Sequence, residues 1–319
     1  MEFTKDILKI DCAQETEKIC AFIKKQAYET KKDGAVIGVS GGVDSAVSLS
    51  LLVKTFGKEK VMGLILPEKN SNPISAEYAR KQAEKLGVKT ELIDMTPVLE
   101  AMGTYKKIDA VIKEIFPEYN DKCRIKITLP PDLLNKDAYN FFTLVMDDGN
   151  GNIKKERLNK NNLNSIVAAT CTKHRIRMTH LYYFAEKNNY FVCGTTNKTE
   201  LLEGDFVKYG DGGVDIEPLA HLYKLQVYQL AEYLGVIKEI IERAPSPDTF
   251  SFPVSDEEFY FRLPFNVLDP LLFAWENKIG ISRVSETLAL KEDQIQRAFR
   301  DFTAKFNTTK HLRQMPPML

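Results

Sequence analysis

Apolar positions in the first hundred residues alternate between two periods. Over 14–30, Ile19, Ile23 and Ala27 recur every fourth residue with Lys and Glu between them, which predicts an amphipathic helix. Short apolar runs and helical spacings then take turns: strand 35–39, helix 44–56, strand 60–66 (KVMGLIL), helix 74–86 and strand 88–93 (VKTELID). Strands separated by helices of about ten or more residues pair in parallel, through right-handed crossovers. This part of the chain therefore predicts an α/β fold with a doubly wound, Rossmann-like parallel sheet flanked by helices.

The alternation lapses between about 104 and 160, where prolines and short apolar runs surround a Gly-Asn-Gly turn. A β-hairpin is expected there, 141–146 returning at 153–157, inside an insertion between α/β units. Helical spacing resumes over 163–187, followed by a strand at 190–194 and a helix at 223–234 closed by Gly235. The proline-rich stretch 245–266 reads as loop, and the last fifty or so residues as two or three helices. One domain over 1–319 is expected, with a C-terminal helical extension from about 248. There are no internal repeats and no low-complexity segments.

Composition narrows this picture. Of 319 residues, 44% are apolar and 28% charged, enough to bury a large core without disulfides. The 44 basic and 44 acidic side chains balance, so nothing pulls the whole chain toward nucleic acid or an anionic membrane. Cys12, Cys20, Cys123, Cys171 and Cys193 are scattered with no CxxC among them, which argues against zinc and dithiol chemistry. The N-terminal residues lack a signal-peptide pattern and no apolar run is long enough to span a membrane, so a cytoplasmic protein is expected. His174, His180, His221 and His311 show no pairing that suggests a nucleophile or metal site.

The chemistry concentrates in VIGVSGGVDS, where a buried-looking strand runs into Ser40-Gly41-Gly42-Val43-Asp44-Ser45 and then a helix. Small residues at such a junction leave backbone N–H groups and the positive end of the helix dipole facing outward, a setting that favours phosphate. Gly41 and Gly42 let a ligand approach the backbone, Ser40 and Ser45 add hydroxyls, and Asp44 suits a Mg²⁺ ion held between carboxylate and phosphates. A Walker A loop is excluded because no lysine follows the glycines, and a dinucleotide fingerprint because the glycine spacing is wrong. A glycine turn that only closes a βα unit is the alternative at this point.

The string SGGVDS resembles the pyrophosphate loop of the N-type ATP pyrophosphatases, a group that includes NAD synthetases, GMP synthetases, asparagine synthetases and tRNA-thiolating enzymes. A second stretch, GTTNKTELLEGDFVKYGDGGVDIEPLAHLYKLQVYQL within 192–236, is similar to the ammonia-dependent NAD synthetases. HRIRM at 174–178 and the pair Pro245-Ser246 match them too. The resemblance covers roughly 15–100 and 163–247.

It implies an ATP-dependent amide ligase. The carboxylate of deamido-NAD would be adenylated with loss of pyrophosphate, and ammonia would then displace AMP to give NAD. It further implies that Asp44 and Glu200 ligate Mg²⁺, while Ser40, Gly41, Gly42, Val43 and Ser45 form the pyrophosphate loop. Arg175, Thr195 and Lys224 would contact ATP, with Ser246 near the phosphates. Lys208, Asp211 and Asp215 would face the nicotinate-bearing substrate, and Asp44, Lys224 and Asp211 would be the catalytic set. These residue types make chemical sense, because a triphosphate beside an anionic acid needs cations to offset its charge. Arg177, two residues beyond Arg175, is a further phosphate-binding candidate or simply a surface helix residue.

A homodimer is implied, with no nucleic-acid or membrane partner. Only 39 residues precede the loop, so no amidase domain is expected there, and nitrogen would come from free ammonia or a separate glutaminase. The insertion and the stretch 248–266 depart from the family pattern, which leaves an N-type enzyme amidating another carboxylate as the alternative. Base thiolation and a non-catalytic nucleotide sensor fit less well, given the balanced charge and the presence of both expected metal carboxylates.

Overall fold

The computed structural model describes residues 3–136 and 140–318. The insertion expected over 104–160 is therefore described apart from 137–139. In chain order the elements are α1 (Cys12–Thr30), β1 (Gly34–Gly38), α2 (Val43–Phe56), β2 (Val61–Ile65), α3 (Pro73–Leu86), β3 (Lys89–Leu92), α4 (Thr96–Ala101) and α5 (Thr104–Ile115). There follow β4 (Arg124–Thr128), β5 (Thr143–Asp147), β6 (Ile153–Arg157), α6 (Lys160–Asn188), β7 (Tyr190–Cys193) and α7 (Lys198–Glu203). The chain closes with α8 (Lys224–Tyr233), α9 (Lys238–Ile241), α10 (Phe265–Glu276), α11 (Ile281–Leu288) and α12 (Glu292–Thr308).

The main sheet has the order β3-β2-β1-β7, every pair parallel. Its chain order reverses between β1 and β7, which places a crevice at the C-terminal ends of those two strands. β1 is covered on both faces, which is why its sequence is a continuous apolar run. Ala35 and Ile37 pack with α1, α2 and α8, while Val36 packs with Met178, Leu181 and Ala185 of α6.

Two further apolar clusters hold the rest. Phe3, the α10–α12 helices and Tyr223 share one. The other joins α5, the antiparallel sheet β4-β5-β6, the start of α6 and Phe250 and Val254.

The expected helices and strands are present within a few residues, including the hairpin at 143–147 and 153–157. Sequence reading did not resolve β4 or α5 within the insertion, nor α7. A short turn of π-helix at Glu257–Phe261 lies inside the stretch read as loop. No described helix is long and apolar enough to cross a membrane. All five cysteines are free thiols.

Candidate active site

The turn after β1 is tightly braced. Gly41 has φ +76°, and a Cβ there would lie 2.2 Å from the Ser75 carbonyl oxygen, so only glycine fits. The two serines brace the turn from inside. Ser45 Oγ donates to Gly42 O (2.9 Å) and accepts from Ser40 N (3.2 Å), and Ser40 Oγ accepts from Gly42 N (3.2 Å). α2 begins at Val43 without a side-chain cap, leaving first-turn N–H groups for a phosphate.

Asp44 and Glu200, 156 positions apart, converge on one ammonium group. Lys224 Nζ donates to Asp44 Oδ2 at 2.6 Å and lies 3.4 Å from Glu200 Oε1. Burial disfavours charge on this lysine, but Asp44 and Glu200 outweigh it and hold its pKa well above the ordinary value. Lys224 thus stays cationic while its side chain is only 3% exposed.

Asn197, which sequence reading passed over, ties the two carboxylates together. Its Nδ2 donates to Asp44 Oδ1 (2.9 Å), and its backbone N to Glu200 Oε2 (3.2 Å). It also caps α7 in a capping box with Glu200. The signal was in the sequence as Asn-x-x-Glu before a helical turn.

The C-terminal helices hold this arrangement from behind. Asp269 of α10 accepts from Thr199 Oγ1 (2.7 Å) and from Leu225 N (2.8 Å), and Thr199 Oγ1 in turn accepts from Lys224 N (3.1 Å). Burial lifts the Asp269 carboxyl to about 7. On α12, Lys305 binds Glu203 Oε2 (2.6 Å) and Asp301 Oδ2 (3.0 Å), anchoring the end of α7. Asp256, from the proline-rich stretch, faces Lys224 and Asp44, and burial raises its carboxyl to about 6.

A cavity of about 270 Å³ opens beside the turn, at the C-terminal ends of β1, β2 and β7. Ser40, Thr195, Arg177 and Asp211 line it with apolar residues such as Leu64, Leu66 and Val214. Arg177 Nε donates to Leu66 O (3.3 Å), fixing the guanidinium at the cavity wall. Asp211 meets His174 Nδ1 at 3.1 Å and accepts from Val207 N (3.0 Å). Burial pushes its carboxyl up, but His174 and the Val207 N–H outweigh that and leave it below the usual range.

The other expected residues sit further out. Arg175 is exposed and donates to Lys208 O (3.3 Å), outside the residues that line the cavity. Lys208 Nζ is held by the carbonyls of His311 and Gln314, both at 3.0 Å. Asp215 accepts from Tyr182 Oη (3.0 Å) and Val192 N (2.7 Å), extending the hydrogen bonding at β7. Ser246 lines a second, neighbouring cavity.

Donor chemistry at Asp44 and Glu200 fits Mg²⁺. The pair offers hard carboxylate oxygens, and among the described residues no third His, Cys, Asp or Glu completes an all-protein cage. Magnesium commonly takes one or two carboxylates and fills its remaining positions with water and substrate phosphates.

The NAD synthase family model matches this chain over residues 15–150 and 146–316. The chain belongs to the NAD synthase family. It is 39% identical to the NH(3)-dependent NAD(+) synthetase of Mesorhizobium japonicum, over 97% of each chain. It is 40% identical to that of Rhizobium meliloti, over 99% of this chain and 95% of the relative. The NH3-dependent NAD synthetase of Campylobacter jejuni shares the fold at TM-score 0.62 and 24% identity, over 97% of this chain and 100% of that one. An NMN synthetase from Francisella tularensis superposes equally well, at TM-score 0.62 and 23% identity over 98% and 99%.

Proposed function

We propose that this NAD synthase family member amidates deamido-NAD with ATP and ammonia, releasing AMP and pyrophosphate. The carrying observation is the convergence of Asp44, Glu200 and Lys224 at a glycine turn whose Ser40 lines an apolar cavity at the switch point of the sheet. Identity of 39–40% across nearly the whole chain to NH(3)-dependent NAD(+) synthetases favours this acid and free ammonia.

In this reading the apolar cavity takes the adenosine, and the Ser40–Ser45 turn takes the β- and γ-phosphates. The carboxylate oxygen of the acid attacks the α-phosphorus, the α–β bridging bond breaks, and pyrophosphate carries away the electron pair. Ammonia then attacks the acyl carbon, AMP leaves with its phosphate oxygen, and the excess proton passes to solvent. Lys224, kept cationic by its carboxylate neighbours, supplies a positive charge beside the departing phosphates. Arg177, fixed at the cavity wall, adds a second cation. When bound at Asp44 and Glu200, Mg²⁺ would neutralise developing charge on the phosphates. Asp211, kept ionised by His174, orients rather than attacks.

Lys208 and Asp215 belong to the acid side in this proposal, and Arg175 and Ser246 to the phosphates once ligand is bound. A homodimer in the cytoplasm completes it. Incubation with ATP, Mg²⁺, ammonium and either deamido-NAD or a mononucleotide acid tests the substrate. Equimolar AMP and NAD with deamido-NAD are expected. AMP formed only with the mononucleotide would replace the acid and keep the ATP chemistry.

A further inference from the structure

The second cavity, of about 580 Å³, lies next to the nucleotide cavity, and its walls come from three places. These are the turn after β2 at 69–73, Arg124 of the inserted strand β4, and the 243–258 stretch. Asn72 and Asp248 line both cavities, so a strip made of two chain segments, 71–73 and the turn at Asp248, separates them. The strip is tied down on both sides. Asp248 accepts from Asn72 N (2.9 Å) and Ser75 Oγ (2.7 Å), and buried Lys173 donates to Thr249 O (3.0 Å). Gly41 of the phosphate turn abuts Ser75 from the opposite side. Ser75 thus links the turn to Asp248 in the wall of the second cavity.

The lining charges do not cancel. Glu258 is engaged by Lys126 Nζ at 3.1 Å and Arg124 by Asp147, while Asp248, held by neutral donors, keeps one negative charge in the wall. Lys69 and Arg243 remain, and among the described residues neither has an ion-pair partner. The Lys69 ammonium lies over the Tyr105 ring, 3.8 Å from its centre. Ser246, Ser251 and Ser255 contribute hydroxyls to the same walls. One guanidinium fork, one ammonium and several hydroxyls suit a compact anion with many acceptor oxygens.

We propose that this cavity is a second anion subsite that takes a diphosphate group, with Lys69 and Arg243 as its charged contacts. Two ligands of the reaction proposed above carry that group besides ATP: the leaving pyrophosphate and the acid dinucleotide. The inference rests on that reading only for which of the two fills the site.

The first test needs no turnover. The full-length protein with Mg²⁺ is saturated with α,β-methylene ATP, so that its phosphate turn is filled, and titrated with inorganic pyrophosphate by calorimetry. Wild type is expected to bind, and Lys69→Ala with Arg243→Ala about tenfold or more weakly. Arg243→Lys, which keeps the charge, should fall between them. Equal affinity for the ATP analogue shows that the variants are folded. No pyrophosphate binding by saturated wild type, or equal binding by the folded double variant, overturns the proposal.

Steady-state kinetics then separate the sources. A pyrophosphate inhibition constant raised about tenfold, with KM for deamido-NAD unmoved, assigns the leaving group. A similar rise in KM for deamido-NAD assigns the acid. Absence of deamido-NAD turnover would overturn the functional reading and leave the binding result standing.

Discussion

The two sheets of this protein illustrate opposite ways of using strands. In the parallel sheet β1 is covered on both faces, and the C-terminal edge gathers charged groups that were far apart in sequence: Asp44, Glu200 and Lys224 meet within hydrogen-bonding reach. The inserted sheet is antiparallel and half-solvated. β5 is largely buried, whereas every residue of β6 is exposed, and the sequence IKKER puts cations on that free edge. Lysines there discourage edge-to-edge pairing. Charge gathered at the edge of the first sheet, at Lys224, is buried and paired, whereas charge on β6 of the second is solvated. Substitutions should separate the two regions sharply.

The largest effect is expected at Asp44. Asp44→Asn keeps the shape and removes the carboxylate, so kcat for AMP formation should fall on the order of a thousandfold while the fold survives. Rapid-quench AMP measurement checks it, and near-wild-type turnover would remove Asp44 from the site.

Stability should respond most at the pair that joins the two regions. Lys173 Nζ meets Glu68 Oε1 at 2.9 Å with both side chains buried, and Tyr105 of the inserted segment donates to Glu68 Oε2 (2.7 Å). Lys173→Met strands a buried carboxylate and should cost about 3–5 kcal/mol in urea unfolding. Lys154→Ala breaks the exposed pair with Glu118 and should leave the unfolding curve where it was.

Asp269 makes the buried site sensitive to pH. Its folded pKa is raised from 3.8 to about 7, mainly by burial. Between these values the folded chain holds a proton that the unfolded chain has released, so its contribution to stability falls as pH rises and then levels off. Asp269→Asn should remove a fall of about 3 kcal/mol between pH 4 and pH 7, visible in denaturant midpoints. An unchanged slope would mean that Asp269 is ionised throughout.

A smaller loss is expected at Asn197. Asn197→Ala removes the cap of α7 and the bond to Asp44, costing about 1 kcal/mol in stability. Because it also frees the Asp44 carboxylate, kcat should fall more than KM for ATP rises. Equal changes in both would assign Asn197 to folding alone.

Much of this was legible before the structure, for identifiable reasons. The βα alternation and the SGGVDS turn are local patterns, set by periods of two and 3.6 residues and by a glycine that nothing else can replace. The insertion was harder. α5 was hidden because its polar residues and neighbouring prolines masked a short apolar face at Ile108 and Ile112, and β4 because its pairing partner lies beyond a proline-rich stretch. The Lys224–Asp44 contact spans 180 positions, so residue type suggested charge neutralisation while only the fold shows which carboxylates it joins. Asp269 and Lys305 had no local signature. They matter because the C-terminal helices pack against α7 and α8, and that is a tertiary fact.

In the proposed reaction the acid attacks the α-phosphorus of ATP at this sheet edge. Deamido-NAD labelled with ¹⁸O in its carboxylate tests it most directly, by mass spectrometry of the products after one turnover with ATP, Mg²⁺ and ammonium. One labelled oxygen in AMP and none in pyrophosphate is the expected result. Label in pyrophosphate or inorganic phosphate, with unlabelled AMP, would contradict it.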